Sequence, residues 1–545
     1  MEVISRRTFV KLGASAAALS FGGLVSACTS DGTQQAATGS AAASPGAGVK
    51  QVVVTMTVNS EPEAGFDPLF SWGCGEHVHE PLIQSTLINT DLELGFVNDL
   101  ATGYEVSADG MAWTFTLRDG VRFTDGEKLT AKDVAFTING IINSEAAQAD
   151  LSSIREAVAS DDSTVVLHMT HPDNTILYTL AVVGIVPAHA YDQDYGSNPI
   201  GSGRYRLEQW DRGQQVILTA NPDYYGPAPK VGRVVVLFMS EDASLAAAAA
   251  GQVDVAYTSA TLAGQAPAGF TLFSAKTVDS RGISLPSIPA GATKESYPAG
   301  NNVTSDLALR QAMNSAVDRD RMIEHVLDGH GTAAHSVGDA LPWASADMKV
   351  SSNIEHARQV LADGGWTVGS DGIMTKDGLR AAFGLYYASS DSVRQALAAD
   401  FADQMRQIGI EVSPKGASWD DIYPNQYSSP VLWGWGSNSP VELYQLTHSK
   451  GWGNYACYDN AEIDAHLDQA RAARTVEDSY EPYRKAQWDE ATQTGVAPQG
   501  ASTWVWLANI DHLYFQRDGI TIAQQKPHPH GHGWSLVNNV DQWDV

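Results

Sequence analysis

A chain of 545 residues, 43% hydrophobic and 18% charged, is long enough for two or three domains with cores of their own and too apolar to be disordered as a whole. Its 34 Lys and Arg stand against 63 Asp and Glu, a formal charge of -29, which excludes a phosphate-gripping surface and with it a nucleic-acid-binding role. An acidic exported protein fits that balance.

The N-terminus reads as an address. Ser5-Arg6-Arg7-Thr8-Phe9-Val10-Lys11 is a twin-arginine pattern, and the apolar run from Leu12 to Val25 is too short for a permanent membrane span. Val25-Ser26-Ala27-Cys28 is similar to a bacterial lipobox, so residues 1–27 are expected to be cleaved as a signal peptide and Cys28 to be lipidated. The chain would then be anchored on the outer face of the cytoplasmic membrane. Residues 28–49, rich in Ala, Gly, Ser and Thr, form a flexible tether reaching about 25 Å. Cys74 and Cys457 remain; one disulfide and two separate thiols are both open, since spacing does not give connectivity. No CxxC zinc pattern, GxxxxGK phosphate loop or GxSxG nucleophile elbow occurs.

The β-branched run from Gln51 to Val58 predicts a strand. His77 and His79 follow, two positions apart, and face one side only if that segment is extended. Farther on, Trp113, Phe115 and Leu117 alternate with polar residues, a half-buried strand, and Asp119-Gly120 predicts a hairpin to a second strand, Val121 to Phe123. Thr130 caps a helix running from Ala131 to about Ile142, with Asp133 in its first turn.

The run Trp113-Thr-Phe-Thr-Leu-Arg-Asp-Gly-Val-Arg-Phe-Thr-Asp-Gly-Glu-Lys-Leu-Thr-Ala-Lys-Asp-Val134 resembles the signature of the family 5 extracellular solute-binding proteins of ABC importers, the group that contains dipeptide-, oligopeptide- and nickel-binding proteins. Pro199 to Tyr205, Asn221 to Gly226, Gly251-Gln-Val-Asp-Val255 and Arg310 to Asp318 are similar to further segments of that family. The resemblance implies an α/β, two-lobed periplasmic-binding-protein-like fold of type II, with an extra domain and a ligand cleft between the lobes. It also implies a binding protein and not an enzyme, a monomer with no required cofactor, and ABC permease and ATPase subunits as partners. On this reading residues 50–282 make lobe I, with an inserted domain at about 85–200. Residues 283–507 make lobe II, and 508–545 return to lobe I.

Within the lobes, Val234, Val236 and Phe238 predict a strand, Ser244 to Ala250 a short helix, and Arg281 to Pro289 the crossing into lobe II. Asp306 precedes one helix from Leu307 to Asp328, closed by Gly329. Val393, Leu397, Phe401 and Met405 make an apolar helix stripe ending at Gly409, before a strand Ile410 to Val412. Thr503 to Leu507 predicts another strand.

Peptide-binding members of the family commonly carry an acidic loop after a Trp in the second lobe. Here that loop is Trp433-Gly-Trp-Gly-Ser-Asn-Ser-Pro440, with no carboxylate before Glu442. A buried ammonium would need Asp420, Asp421 or Glu442 instead. Trp433 and Trp435 are candidates to line the cleft, as ordinary turn packing is for the same residues.

Close to the C-terminus stands Pro527-His528-Pro529-His530-Gly531-His532-Gly533-Trp534. Alternate residues of an extended segment share a side, so His528, His530 and His532 are candidate metal ligands, against a plainer role packing the last strand. The resemblance implies that this tail meets His77 and His79 and that the solute is nickel, or another metal, held as a chelate, with Arg281 as the carboxylate holder. Di- or oligopeptide capture is the alternative. A secreted metalloenzyme on the same histidines is a third reading, against which stands the absence of an HExxH pattern.

Overall fold

The computed structural model describes residues 49–70, 73–74, 77–531 and 533–545, with Gly73, Cys74, His77 and Val78 described as backbone. The signal segment, Cys28, the tether before Val49, His532 and the side chains of Cys74 and His77 therefore lie outside the described residues.

Two sheets carry the two lobes. The first has seven strands in the order 205–211, 215–220, 233–239, 51–57, 255–258, 512–517, 270–275. Its central strand Gln51–Thr57 runs parallel to both neighbours. Val52, Val54 and Met56 face one core, with Val234, Val236, Tyr514 and Trp534, while Val53 meets a second one on the opposite face. A strand covered on both sides has to read as a nearly continuous apolar run, as QVVVTMT does.

The second sheet has six strands in the order 331–333, 504–510, 280–284, 431–435, 382–388, 411–417. The helix Ser392–Arg406 packs against it through Val393, Leu397, Phe401 and Met405, all buried. Its N-cap is Asp391, whose carboxylate accepts the Arg394 N–H at 2.9 Å. Gly409 follows in the left-handed region at φ 74°, and the next strand begins at Glu411.

A smaller antiparallel sheet, 101–106, 112–117, 164–169, 154–159, holds Trp113, Phe115 and Leu117 against the helix Ala131–Ile142. Thr130 and Asp133 cap that helix reciprocally. The hairpin predicted after Leu117 does not form. Residues 121–123 make a single bridge, Arg122 to Lys128, and bury Val121 and Phe123 as core plugs. The strand Ala112–Leu117 pairs instead with 101–106 and 164–169, since a three-residue run offers too few ladder bonds to displace a six-residue partner. The helix predicted from Leu307 to Asp328 is likewise two, Leu307–Ala316 and Arg319–His325, because Asp318 caps a new start by accepting from the Arg321 N–H at 3.0 Å.

The small sheet's unit is tied to lobe II. Asn174 donates through Nδ2 to the carbonyls of Ala470 and Ala473 at 2.9 and 3.0 Å, and the half-buried Arg471 forms an ion pair with the buried Asp173.

Two stretches cross between the lobes, and a loop of the C-terminal segment that leaves and re-enters lobe I lies beside them. The crossings are 276–279 and 510–512 and the loop is 527–530, joined by Ile510 N–H to Asp279 O at 3.0 Å and Val278 N–H to His528 O at 2.9 Å.

Candidate functional site

The site grows from the lobe II end of these crossings. Ser280–Ser284 pairs antiparallel with Val431–Trp435, setting Arg281 opposite Gly434. The missing side chain at Gly434 is what makes room. A Cβ there would lie 2.5 Å from Nη2 of Arg394, 2.6 Å from Nη1 of Arg281 and 2.6 Å from Cε1 of His530. Three cationic or imidazole groups from a strand, a helix and the C-terminal segment thus converge over one glycine.

Asp279 organises them. Its Oδ1 takes Nη1 of Arg281 in a buried ion pair and Nδ1 of His530 at 2.6 Å, and its Oδ2 takes Nε2 of His512 at 3.0 Å. Burial alone would raise the carboxyl, yet the charge of Arg281 and the hydrogen bonds from His512 and His530 hold it well below the usual carboxylate range. Because an ionised carboxylate accepts at Nδ1 of His530, that ring keeps its proton on Nδ1 and its lone pair on Nε2. Burial, only partly offset by Asp279, lowers the pKa of His530 and keeps the ring neutral.

Arg394 is buried too, 3.5 Å from Asp391 and 5.4 Å over the ring of Trp419. Burial lowers its pKa, Asp391 opposes that, and the neighbouring Arg281 lowers it further. The Nε atoms of Arg281 and Arg394 and Oε2 of Glu442 are buried without hydrogen-bond partners among the described residues. Glu442 sits at the head of the helix Val441–Thr447. Burial pushes its carboxyl up to about 8, with repulsion from Asp279 adding to the rise.

Trp433 and Trp435 are both buried. Trp433 stacks on Tyr455 at 4.4 Å and on Trp419 at 5.6 Å, and its Nε1 donates to Ser284 at 3.0 Å. The pair forms an aromatic wall continuous with the ring under Arg394.

Of the predicted histidines, His79 and His530 come to the same place. His79 is buried with its ring against Gly531, where a Cβ would lie 2.5 Å from Cε1. Burial, then the nearby His530, brings its pKa down to about 4. His528 is engaged elsewhere, by His512 at 3.2 Å and Gln525 at 3.2 Å. Among the described residues, the group of three donors close enough to share one ion is Glu462, His466 and Asp489 on lobe II, and the tail histidines do not form such a group. Arg281, the predicted carboxylate holder, is paired in this structure with Asp279. Asp420 and Asp421 are exposed in a helix first turn, whereas Glu442 is the acid beside the site.

Sequence reasoning missed Asp279, Arg394 and His512. Arg394 carried a legible signal, a charge beside the apolar stripe that starts at Val393. Asp279 and His512 carried none, because their meaning depends on crossings that pair residues more than two hundred positions apart.

The family model described as bacterial extracellular solute-binding proteins, family 5 Middle, matches residues 95–456. Protein XP55 of Streptomyces lividans is 34% identical over 487 residues, 85% of either chain. The oligopeptide-binding protein AppA of Bacillus subtilis is 28% identical over 477 residues, 82% of this chain and 85% of its own. Among solved structures, NikZ of Campylobacter jejuni in complex with Ni(L-His) aligns with a TM-score of 0.76 at 22% identity, over 91% of this chain and 99% of that one. The two-lobed architecture and these matches together make the chain a member of the family 5 extracellular solute-binding proteins of ABC importers, built on the type II periplasmic-binding-protein fold.

Proposed function

We propose that the protein captures nickel, or another divalent metal, as a chelate with small carboxylate ligands and delivers it to an ABC permease and its ATPase. The observation that carries this reading is the convergence of His530, Arg281 and Arg394 over Gly434. A neutral imidazole with its lone pair on Nε2 suits a borderline metal, and guanidinium groups suit the chelator's carboxylates. The complex of NikZ with Ni(L-His) is in keeping with it. Solute binding would draw the lobes together about the two crossings.

Peptide capture is the second reading. The guanidinium pair and the wall of Trp419, Trp433 and Tyr455 also suit a peptide's carboxylate and side chains, and AppA is named for oligopeptides. Isothermal titration separates the two. Nickel with L-histidine is expected to bind the wild-type protein and to lose at least tenfold in affinity in His530→Ala. Heat with dipeptides and none with nickel, alone or with histidine, would sink the metal reading.

Export by the twin-arginine route and lipid anchoring at Cys28 belong to the same proposal. Cys28→Ala should move the protein from the membrane fraction to the medium or periplasm. Unchanged fractionation would refute the anchor. No helix among the described residues is long and apolar enough to cross a membrane.

A further inference from the structure

Lobe II gathers a second set of metal-type donors on another helix pair. Glu462 and His466 stand one turn apart on the helix Ala461–Ala472, and Asp489 follows the helix Val476–Gln487. A spacing of four residues puts two side chains on one face of a helix, and the two helices lie against each other, so the second delivers Asp489 to that face. One donor atom from each of the three residues lies within 4.8 Å of the other two. Nε2 of His466 and Oδ2 of Asp489 are 3.1 Å apart.

The three side chains are held to different degrees. Asp489 is buried, with its Oδ1 fixed by the Ala491 N–H at 3.0 Å and its backbone bridged to Thr494. His466 is half-buried, and Glu462 is exposed with no ion pair among the described residues. The helix itself is anchored by a different stripe. Ile463, Leu467 and Ala470 enter the core that holds Trp433 and Trp435, while Glu462 and His466 each precede a residue of that stripe and so lie off it.

We infer that Glu462, His466 and Asp489 bind one divalent first-row transition ion, with zinc as the probe, at a site separate from the solute cleft. One imidazole nitrogen and two carboxylate oxygens suit zinc, nickel or cobalt, and without a thiolate they do not suit copper(I). Ligands about 2.0–2.2 Å from a tetrahedral zinc stand about 3.4 Å from one another. His466 and Asp489 are already at that separation, and the exposed Glu462 side chain closes the rest by rotation. The ion takes the place of the hydrogen that Nε2 gives to Asp489, and water fills the fourth position. Residues 488–503 carry neither helix nor strand and dock on the helix Leu307–Ala316 through the carbonyls of Gln499 and Ala501. An ion tying Asp489 to the helix 461–472 pins the start of this irregular segment, which feeds the strand beside Ser280–Ser284. It would act as a clamp on lobe II without touching the solute.

The test is equilibrium dialysis of the untagged protein against zinc chloride without chelator, with thermal melts of the same samples. Wild type should take up about one zinc per chain and melt higher with it, since an ion that binds only the folded state stabilises by mass action. Glu462→Ala and His466→Ala should each bind at least tenfold more weakly and lose the melting shift. His356→Ala, at an exposed histidine on another helix, and His530→Ala should match wild type. Glu462 is exposed, so its variant decides the matter even where His466→Ala misfolds. Nickel with L-histidine should titrate wild type and Glu462→Ala alike. Absent zinc uptake, uptake that survives Glu462→Ala, or uptake lost in His530→Ala instead overturns the inference and leaves the solute-site reading as it was. A nickel–histidine affinity that falls together with zinc uptake in Glu462→Ala overturns it as well. Zinc uptake in the expected pattern by a protein that binds no nickel–histidine supports this inference and refutes the metal-chelate reading of the cleft.

Discussion

At the scale of single residues, Gly434 decides whether the site exists. Its neighbours leave no volume for a methyl group between Arg281, Arg394 and His530, so Gly434→Ala must displace a guanidinium or the imidazole. The expected outcome is a folded protein with an affinity loss of at least tenfold, read by titration with whichever solute binds wild type. Asp279→Asn acts on stability as well. It removes the carboxylate from a buried Arg281 and should cost about 3–5 kcal/mol in chemical denaturation. The sign with pH follows from the depressed carboxyl. Stability from Asp279 is fully present above the ordinary carboxylate range and is lost as pH falls below it. Glu442 has the opposite sign, because its folded pKa is raised. Its contribution is present below about 4.5 and fades as pH climbs through about 8. Melting curves of E442Q should therefore lie above those of wild type at pH 9, with the gap closing toward pH 5.

Elements divide sharply into those legible from local pattern and those that are not. The capped helix Ala131–Ile142 and the stripe of Ser392–Arg406 were readable, since Thr130, Asp133 and a repeat of four residues encode them within a few positions. The strand at 121–123 and the single helix across 307–328 were misread for one reason. Short-range signals there compete with capping by Asp318 and with burial of Val121 and Phe123, which depends on what packs above. The site was legible in part. Arg281, Trp433, Trp435, His79 and His530 are in one region, but the reason lies in register, Arg281 opposite Gly434, and register is not written in either strand alone. The cap at Asp391 also has a consequence for function. It fixes the first turn from which Arg394 projects, so Asp391→Ala should weaken solute binding severalfold beyond its cost to the helix, about 1 kcal/mol in a thermal melt.

On the scale of the whole molecule, the contact between the small sheet's unit and lobe II is a second tie between the halves, beside the crossings. Asp173 and Asn174 on one side and Ala470 and Arg471 on the other form it. Arg471→Ala leaves Asp173 buried without its counter-charge. The expected result is a larger radius of gyration in solution scattering and a faster solute off-rate, with an on-rate nearly unchanged. Equal scattering profiles for the two proteins would show that this contact does not restrain the lobes.

The crossings carry one more consequence, for the order in which the protein is made. The strands 504–510 and 512–517 sit inside their sheets, each with a neighbour on both sides, and Trp534 and Trp543 fill the core beneath the first sheet. Neither lobe can complete its hydrogen-bonded ladder until the last tenth of the chain has left the ribosome. Synthesis therefore yields two unfinished halves that lock in nearly the same moment, and a ribosome stalled before residue 504 holds a chain with no finished lobe on it.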